Sequence, residues 1–222
     1  MVLTDKNPVI LVAEYAIKRI RQTFKLKLGF RPTKSKNELN SLVNKLEASI
    51  MALKYSYLSL DELSNHIEIK TLDRVANELL EAIQPAKNSP STNRLAYSTI
   101  EWGIQIFKGI TGRLRVSDNN LGTGIDLRVV RVRNVQKREK FVQTRAYDHQ
   151  REYTIITNLF EIKPKTNLGA AFLPPVEVGG EVSEAMYLGL EERAEEAGHP
   201  LIPTEVNLNE VNAILHHYLK MK

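Results

Sequence analysis

Residues 168–190 read LGAAFLPPVEVGGEVSEAMYLGL, and the order of apolar runs and chain breakers in this stretch decides how the second half of the chain folds. Leu168 to Leu173 is an apolar run of the length of a buried strand. Pro174-Pro175 ends it, because proline has no N–H to give to a sheet ladder. Gly179-Gly180 supplies the positive-φ residues that a tight connection needs. From Val182 to Leu188 apolar residues roughly alternate with small or polar ones. The stretch therefore predicts two short strands folded over the Gly-Gly connection.

Upstream, the same period of two recurs. Ile125 to Arg133 (IDLRVVRVR) is β-branched and alternates with arginine, which predicts a strand with one apolar and one basic face. Lys140 to Asp148 (KFVQTRAYD) and Arg151 to Leu159 (REYTIITNL) read as the next two strands, with His149-Gln150 near their turn. Together with the two strands of 168–190, about five strands are expected. Gly109, Gly112, Gly122 and Gly124 punctuate the change of period, and Leu121 to Gly124 reads as a loop entering the first strand.

The first half has helical spacing instead. Asn7-Pro8 is an N-cap followed by proline at the first helical position, and Val9, Val12, Ala13, Ala16, Ile17, Ile20 and Phe24 follow the i, i+3, i+4 rule. Ser35 to Glu38 and Ser59 to Glu62 are capping boxes, in which hydroxyl and carboxylate each satisfy a free backbone N–H. Pro85 to Pro90 is a polar connector, Ser91 to Phe107 a further helix, and Leu208 to Met221 a terminal one. The expected fold is α+β as a whole: an all-α helical domain over residues 1–108, then a β-barrel with a C-terminal helical extension over 109–222. The short apolar patch at the N-terminus follows Asp5 and lacks a small-residue cleavage site, so it reads as a helix start and not as a signal peptide.

Composition narrows the chemistry. The chain has 222 residues, no cysteine and a formal net charge of +5. Disulfides, thiolate catalysis and Cys-ligated zinc are excluded together. No apolar run approaches the roughly 20 residues of a bilayer span, and a cytoplasmic protein is expected. There is no GxxxxGK[ST] loop, GxGxxG or GxSxG. His216 and His217 point about 100° apart on a helix, His66, His149 and His199 are isolated, and Glu191-Glu192 and Glu195-Glu196 read as the solvated face of a helix. No catalytic constellation, cofactor site or metal site is expected.

Basic residues cluster instead. Between Arg113 and Arg151 lie Arg115, Arg128, Arg131, Arg133, Lys137, Arg138, Lys140 and Arg145, opposed by Asp118, Asp126, Glu139 and Asp148. A basic cluster on a sheet is the footprint of a phosphate backbone, the alternative being outward solubilising charge. Phe141, Tyr147, Tyr153 and Tyr187 are interleaved with it, and RNA is commonly read by stacking bases on such rings. Phe141 and Tyr153 are also read as barrel core, and Tyr147, beside Arg145 and His149 near a predicted loop, is the better stacking candidate.

Gly180-Glu181-Val182-Ser183-Glu184-Ala185-Met186 resembles the Gly-x-x-Ser-x-Gly-Met segment that closes the tRNA-binding OB-fold domain found alone or appended to methionyl- and other aminoacyl-tRNA synthetases. Ala185 stands in place of the second Gly. Ala171 to Pro175 resembles the family's penultimate strand and Ile125 to Val129 its first, so the resemblance covers about residues 125–189. It implies an OB-fold barrel that binds tRNA, with Ser183 and Met186 on the tRNA-facing surface; by pattern alone Met186 reads as core and Ser183 as a small strand residue. The family's His-Pro-x-Ala-Asp segment is absent, and Lys137-Arg138-Glu139-Lys140 stands there. The expected function is a non-catalytic tRNA-binding adaptor in translation, its helical half docking to an aminoacyl-tRNA synthetase or forming a homodimer. The alternative is an interaction scaffold of a synthetase complex whose barrel no longer binds RNA. The candidate RNA-binding residues are Arg128, Arg131, Arg133, Lys137, Arg138, Lys140, Arg145, Tyr147, Ser183 and Met186.

Overall fold

Asn7 caps the first helix as its spacing requires: its side chain accepts a hydrogen bond from the Val9 N–H at 2.9 Å, and α1 runs Pro8–Thr23. The structure, a computed structural model, describes residues 4–87, 89 and 91–220. Both expected capping boxes form, at Ser35 ahead of α2 (Lys36–Lys54) and at Ser59 ahead of α3 (Leu60–Ser64). His66 caps α4 (Ile67–Ile83), and its Nδ1 accepts from the Glu68 N–H. Asn93 caps α5 (Arg94–Lys108). The glycines after α5 do not end the helical region, because α6 (Ile110–Arg115) follows. Leu121 to Gly124 is a buried 3-10 turn and not an open loop. Asn88 and Pro90 of the predicted connector, and Met221 of the predicted terminal helix, lie outside the described residues.

The four long helices close a ring of packed neighbours: α1 lies against α2 and α5, and α4 against α2 and α5. Their apolar stripes fill the interior with Ile10, Ile20, Leu46, Ile50, Leu72, Leu79, Ile100 and Phe107, each under 2% exposed. Gly103 sets the approach of α5 to α1, since a Cβ there would stand 2.7 Å from the Ile20 side chain. Burial at this scale contributes roughly 1.5–3 kcal/mol per large side chain.

The strands form a separate unit, residues 125–213; the helical unit takes residues 1–124 and 214–222. β1 (Leu127–Lys137), β2 (Val142–Tyr147), β3 (Glu152–Thr157), β4 (Asn167–Ala171) and β7 (Met186–Glu192) make one antiparallel sheet in the order β3-β2-β1-β4-β7. The remaining gap is narrowed at β3, where the Glu184 N–H donates to the Thr154 carbonyl at 2.9 Å and the Ile156 N–H to Ser183 Oγ at 3.0 Å. The five-stranded antiparallel sheet is thereby curled into a barrel-like unit. Val130, Val132, Ala146, Tyr153, Ile155, Leu168, Ala170, Phe172 and Tyr187 fill it. The Tyr187 hydroxyl meets Thr144 at 2.7 Å, and burial pushes that phenol up to about 12.

Three local expectations change. Gly179-Gly180 does not join the two strands of 168–190; it turns a small extra hairpin, β5 (Val176–Val178) with β6 (Glu181–Ser183). β4 ends at Ala171, with two residues between it and Pro174-Pro175, and the bonds of Ser183 and Glu184 to β3 break the alternating run between β6 and β7. Phe141 is not core: it is half-buried and lies against the Gly179 turn, where an added Cβ would come within 2.8 Å of its ring. Glu191 and Glu192 end β7 and do not belong to a helix, because ladder pairing of Leu168 with Glu192 prevails over local propensity. The terminal helix α7 spans Asn209–Lys220. No helix among the described residues is long and apolar enough to cross a membrane.

Two substitutions test how the barrel is held. Ser183→Ala leaves the Ile156 N–H without its partner and should lower barrel stability by about 1–3 kcal/mol, read by hydrogen exchange of β3 and β6 amides. The Asp148 carboxylate has no exposed surface and meets Arg128 at 2.8 Å. Burial raises its pKa, and the Arg151 N–H, the Tyr153 hydroxyl, the Gln150 N–H and the Arg128 charge together outweigh that and hold it below the ordinary carboxylate value. A carboxyl lowered in the folded state stabilises fully above its unfolded pKa of about 4 and loses that contribution as pH falls through the folded value. Asp148→Asn should therefore cost on the order of 3 kcal/mol at neutral pH and flatten the decline of barrel stability below about pH 4. An unchanged acid profile in the variant would refute this role.

Candidate nucleic-acid interface

Arg131 stands opposite Tyr147 in the ladder of β1 with β2, and Val132 opposite Ala146; the next pair is Asn134 with Arg145. Arg133 is thus a bulge residue without a ladder partner. Bulges re-aim the side chain they carry. Here the Arg133 guanidinium lies 4.2 Å from the centroid of the Tyr147 ring. Its side chain is 55% exposed, and Glu152 is at 4.0 Å, the limit of an ion pair. A cation over a ring gains about 0.5–1 kcal/mol at an exposed site, so the two groups hold each other in place on the outer face of the sheet.

Loops wall this part of the sheet. The Lys165 N–H donates to the Val132 carbonyl at 2.7 Å and the Val132 N–H to the Thr166 carbonyl at 2.9 Å, which lays residues 165–167 alongside β1. On the other side the Tyr147 hydroxyl donates to the His149 carbonyl at 2.9 Å, and the two rings meet edge to face. Gly198 closes over this corner; with φ +89° and the Asp148 carbonyl 2.6 Å from where a Cβ would be, only glycine fits. The result is a cleft of about 610 Å³ lined by Arg131, Arg133, Tyr147, His149, Lys165 and Asn167, with Glu196 and Ala197 also on its wall.

Two further features mark this cleft. His149 and Lys165 adopt φ of 72° and 71°, a left-handed conformation that costs a non-glycine residue of order 1–3 kcal/mol and tends to occur at functional sites. The Asn167 Oδ1 is buried without a hydrogen-bond partner, while its Nδ2 donates to the Glu195 carbonyl at 3.0 Å. Three cations, two rings and a free acceptor are the equipment for phosphate and base binding.

The ten candidate residues do not all come here. Arg131, Arg133 and Tyr147 are brought together, and Arg145 is exposed on the same outer face of the sheet. Lys137, Arg138 and Lys140 are exposed at the β1–β2 turn, about 20 Å further along the strand. Arg128 is turned to the other side of β1 from Arg131: its guanidinium is held by Asp126 and Asp148, both at 2.8 Å, and lies over the Phe172 ring at 5.0 Å. The strand therefore does not sort its arginines onto one basic face. Ser183 is 6% exposed and spends its hydroxyl on the Ile156 N–H and the Ala185 carbonyl. Met186 is half-buried on β7 opposite Ala171. Lys165 and Asn167 lie outside the ten, and His149, isolated in the sequence, joins them in the cleft; Lys165 and Asn167 reach it only because the chain around them bonds to β1. Among the described residues no group of His, Asp and Glu could hold a metal ion.

Residues 1–97 match the model of a family described as an alpha helical domain, which covers less than half of the chain. No tRNA-binding or OB-fold family is identified over the barrel. No curated protein matches the chain.

Proposed function

We infer that the chain is a non-catalytic RNA-binding protein whose barrel engages structured RNA through the cleft on β1 and β2, with tRNA as the class that the resemblance of residues 168–190 favours. The observation that carries this reading is the Arg133–Tyr147 stack between Arg131 and Lys165. An unpaired base stacked beside these two groups leaves its phosphates among the cations, and sequence is read weakly because every base has a π-face. In that role the protein raises the local concentration of tRNA for an aminoacyl-tRNA synthetase in the cytoplasm, the helical unit serving as the docking or dimerisation module. Tethering a weak RNA site to an enzyme makes the second encounter intramolecular and gives avidity without catalytic groups.

One observation favours the rival reading of an interaction scaffold: the barrel unit as a whole carries 11 Lys and Arg against 14 Asp and Glu. Salt separates the two. If the cleft binds RNA, substituting Arg131, Arg133 and Arg145 together by Ala should make the log–log salt slope of tRNA binding shallower by about 2–3. Tyr147→Ala should cost about 1–3 kcal/mol of affinity. Unchanged affinity and slope in a folded triple variant would sink the cleft reading and leave the scaffold.

A further inference from the structure

Charge is divided unequally between the two units. The helical unit holds 20 Lys and Arg against 12 Asp and Glu, so the entire net positive charge of the chain belongs to the unit without the barrel. Within it, no acidic residue occurs from Tyr15 to Asn37, while Lys18, Arg19, Arg21, Lys25, Lys27, Arg31, Lys34 and Lys36 do. A second acid-free stretch, Ala82 to Ile100, contains Lys87 and Arg94.

The fold joins these two stretches. The Asn93 N–H donates to the Leu28 carbonyl at 2.8 Å, Ser91 Oγ to the Gly29 carbonyl at 2.8 Å, and the Thr33 N–H to the Ala82 carbonyl at 3.0 Å. The approach is close enough that a Cβ on Gly29 (φ +74°) would stand 2.1 Å from the Ser91 carbonyl oxygen. Between the stretches lies a depression of about 680 Å³, walled by Lys27, Gly29, Phe30, Arg31, Ser89 and Ser91 among others. Of the cations on the two stretches, Lys27 and Arg31 line it, and Lys25, Lys36, Lys87 and Arg94 are exposed as well. Arg21 is already committed to Glu47 at 2.8 Å, whereas Lys25, Lys27, Arg31 and Lys87 make no ion pair among the described residues. The Phe30 ring is half-buried and braced edge-on by Tyr97, centroids 6.5 Å apart.

We propose that this depression is a second RNA-binding site, in which Lys25, Lys27, Arg31 and Lys87 take backbone phosphates beside the Ser89 and Ser91 hydroxyls and the Phe30 ring. Cations of like charge that make no ion pair of their own repel one another, and a polyanion relieves that repulsion. A membrane surface fits less well. Lipid-binding basic segments carry their cations on an amphipathic helix whose apolar face is free to insert. Here the cations sit on a connection between helices, and Phe24 beside them is buried, with Leu26 the one large apolar side chain exposed in residues 24–36. The site stands independently of the barrel cleft.

The test uses the full chain and total tRNA at 50 and 200 mM salt. It compares Lys25→Ala, Lys27→Ala, Arg31→Ala and Lys87→Ala combined, the barrel triple variant, and both sets together. A control with Lys27→Arg and Arg31→Lys keeps the charge. The helical set should weaken binding and make the salt slope shallower by about 3, narrowing the difference between the two salts by about 60-fold, with the charge-keeping control like wild type. Photocross-links from 4-thiouridine-labelled tRNA should map to residues 25–36 and 82–94. Wild-type affinity and slope in the folded helical set, or cross-links confined to the barrel, would overturn the proposal. Loss of binding to phosphatidylserine vesicles with tRNA binding intact would overturn it in favour of a membrane. A silent barrel variant beside an impaired helical set would remove the cleft alone.

Discussion

The barrel is organised around one carboxylate. Asp148 sits at the end of β2 with no solvent access, and an ionised group there is tolerable only if its oxygens are filled by donors. Oδ1 receives the Gln150 and Arg151 N–H groups, both at 3.0 Å, and Oδ2 receives Arg128 and the Tyr153 hydroxyl, both at 2.8 Å. The donors come from β1, from β3 and from the turn that joins β2 to β3. Satisfying one acid therefore sets where three strands begin or end. It also fixes the corner that carries His149 in its left-handed conformation, and Tyr147, the ring on which Arg133 lies, is the residue just before the acid. The geometry of the cleft is downstream of a polar requirement in the interior.

The two units solve the same electrostatic problem in opposite ways. In the barrel, acidic residues outnumber basic ones, yet the cleft gathers Arg131, Arg133 and Lys165 on a small area with Glu196 beside them. In the helical unit the surplus of cations is broad, and the connection between α1 and α2 has no carboxylate of its own. A focused site of this kind favours geometry, and a broad one favours capture at long range and low salt.

Local signals carried the helical half into view. Asn7, Ser35 and Ser59 cap helices through atoms two or three residues away, so a short window of sequence contains the whole interaction. The barrel was legible in its strands and less so in its connections. Gly179-Gly180 was recognisable as a turn, but which strands it joins depends on Ser183 and Glu184 bonding to β3, a partner some 27 to 30 residues distant in the chain. The arginines of β1 misled for a simpler reason: Arg128 and Arg131 differ in parity, so one strand must send them to opposite sides. The cleft was the least legible part. Nothing in Lys165 or His149 as residue types announces a positive φ, and Asn167 reaches the site only because β4 pairs with β1.

The bulge at Arg133 has a consequence for how such a barrel changes over time. Arg133 and Asn134 both lie exposed, two outward residues in succession, while Val132 before them is buried in the core and Val135 after them packs against it. Because Arg133 has no partner across the ladder, removing it would bring Asn134 into regular sequence after Val132 without turning any core side chain outward. Elsewhere in β1 a gain or loss of one residue inverts the strand. A cation of the cleft is therefore an insertion that the register does not notice, and descendants of this sequence can acquire or discard it by a single codon while the barrel stays as it is.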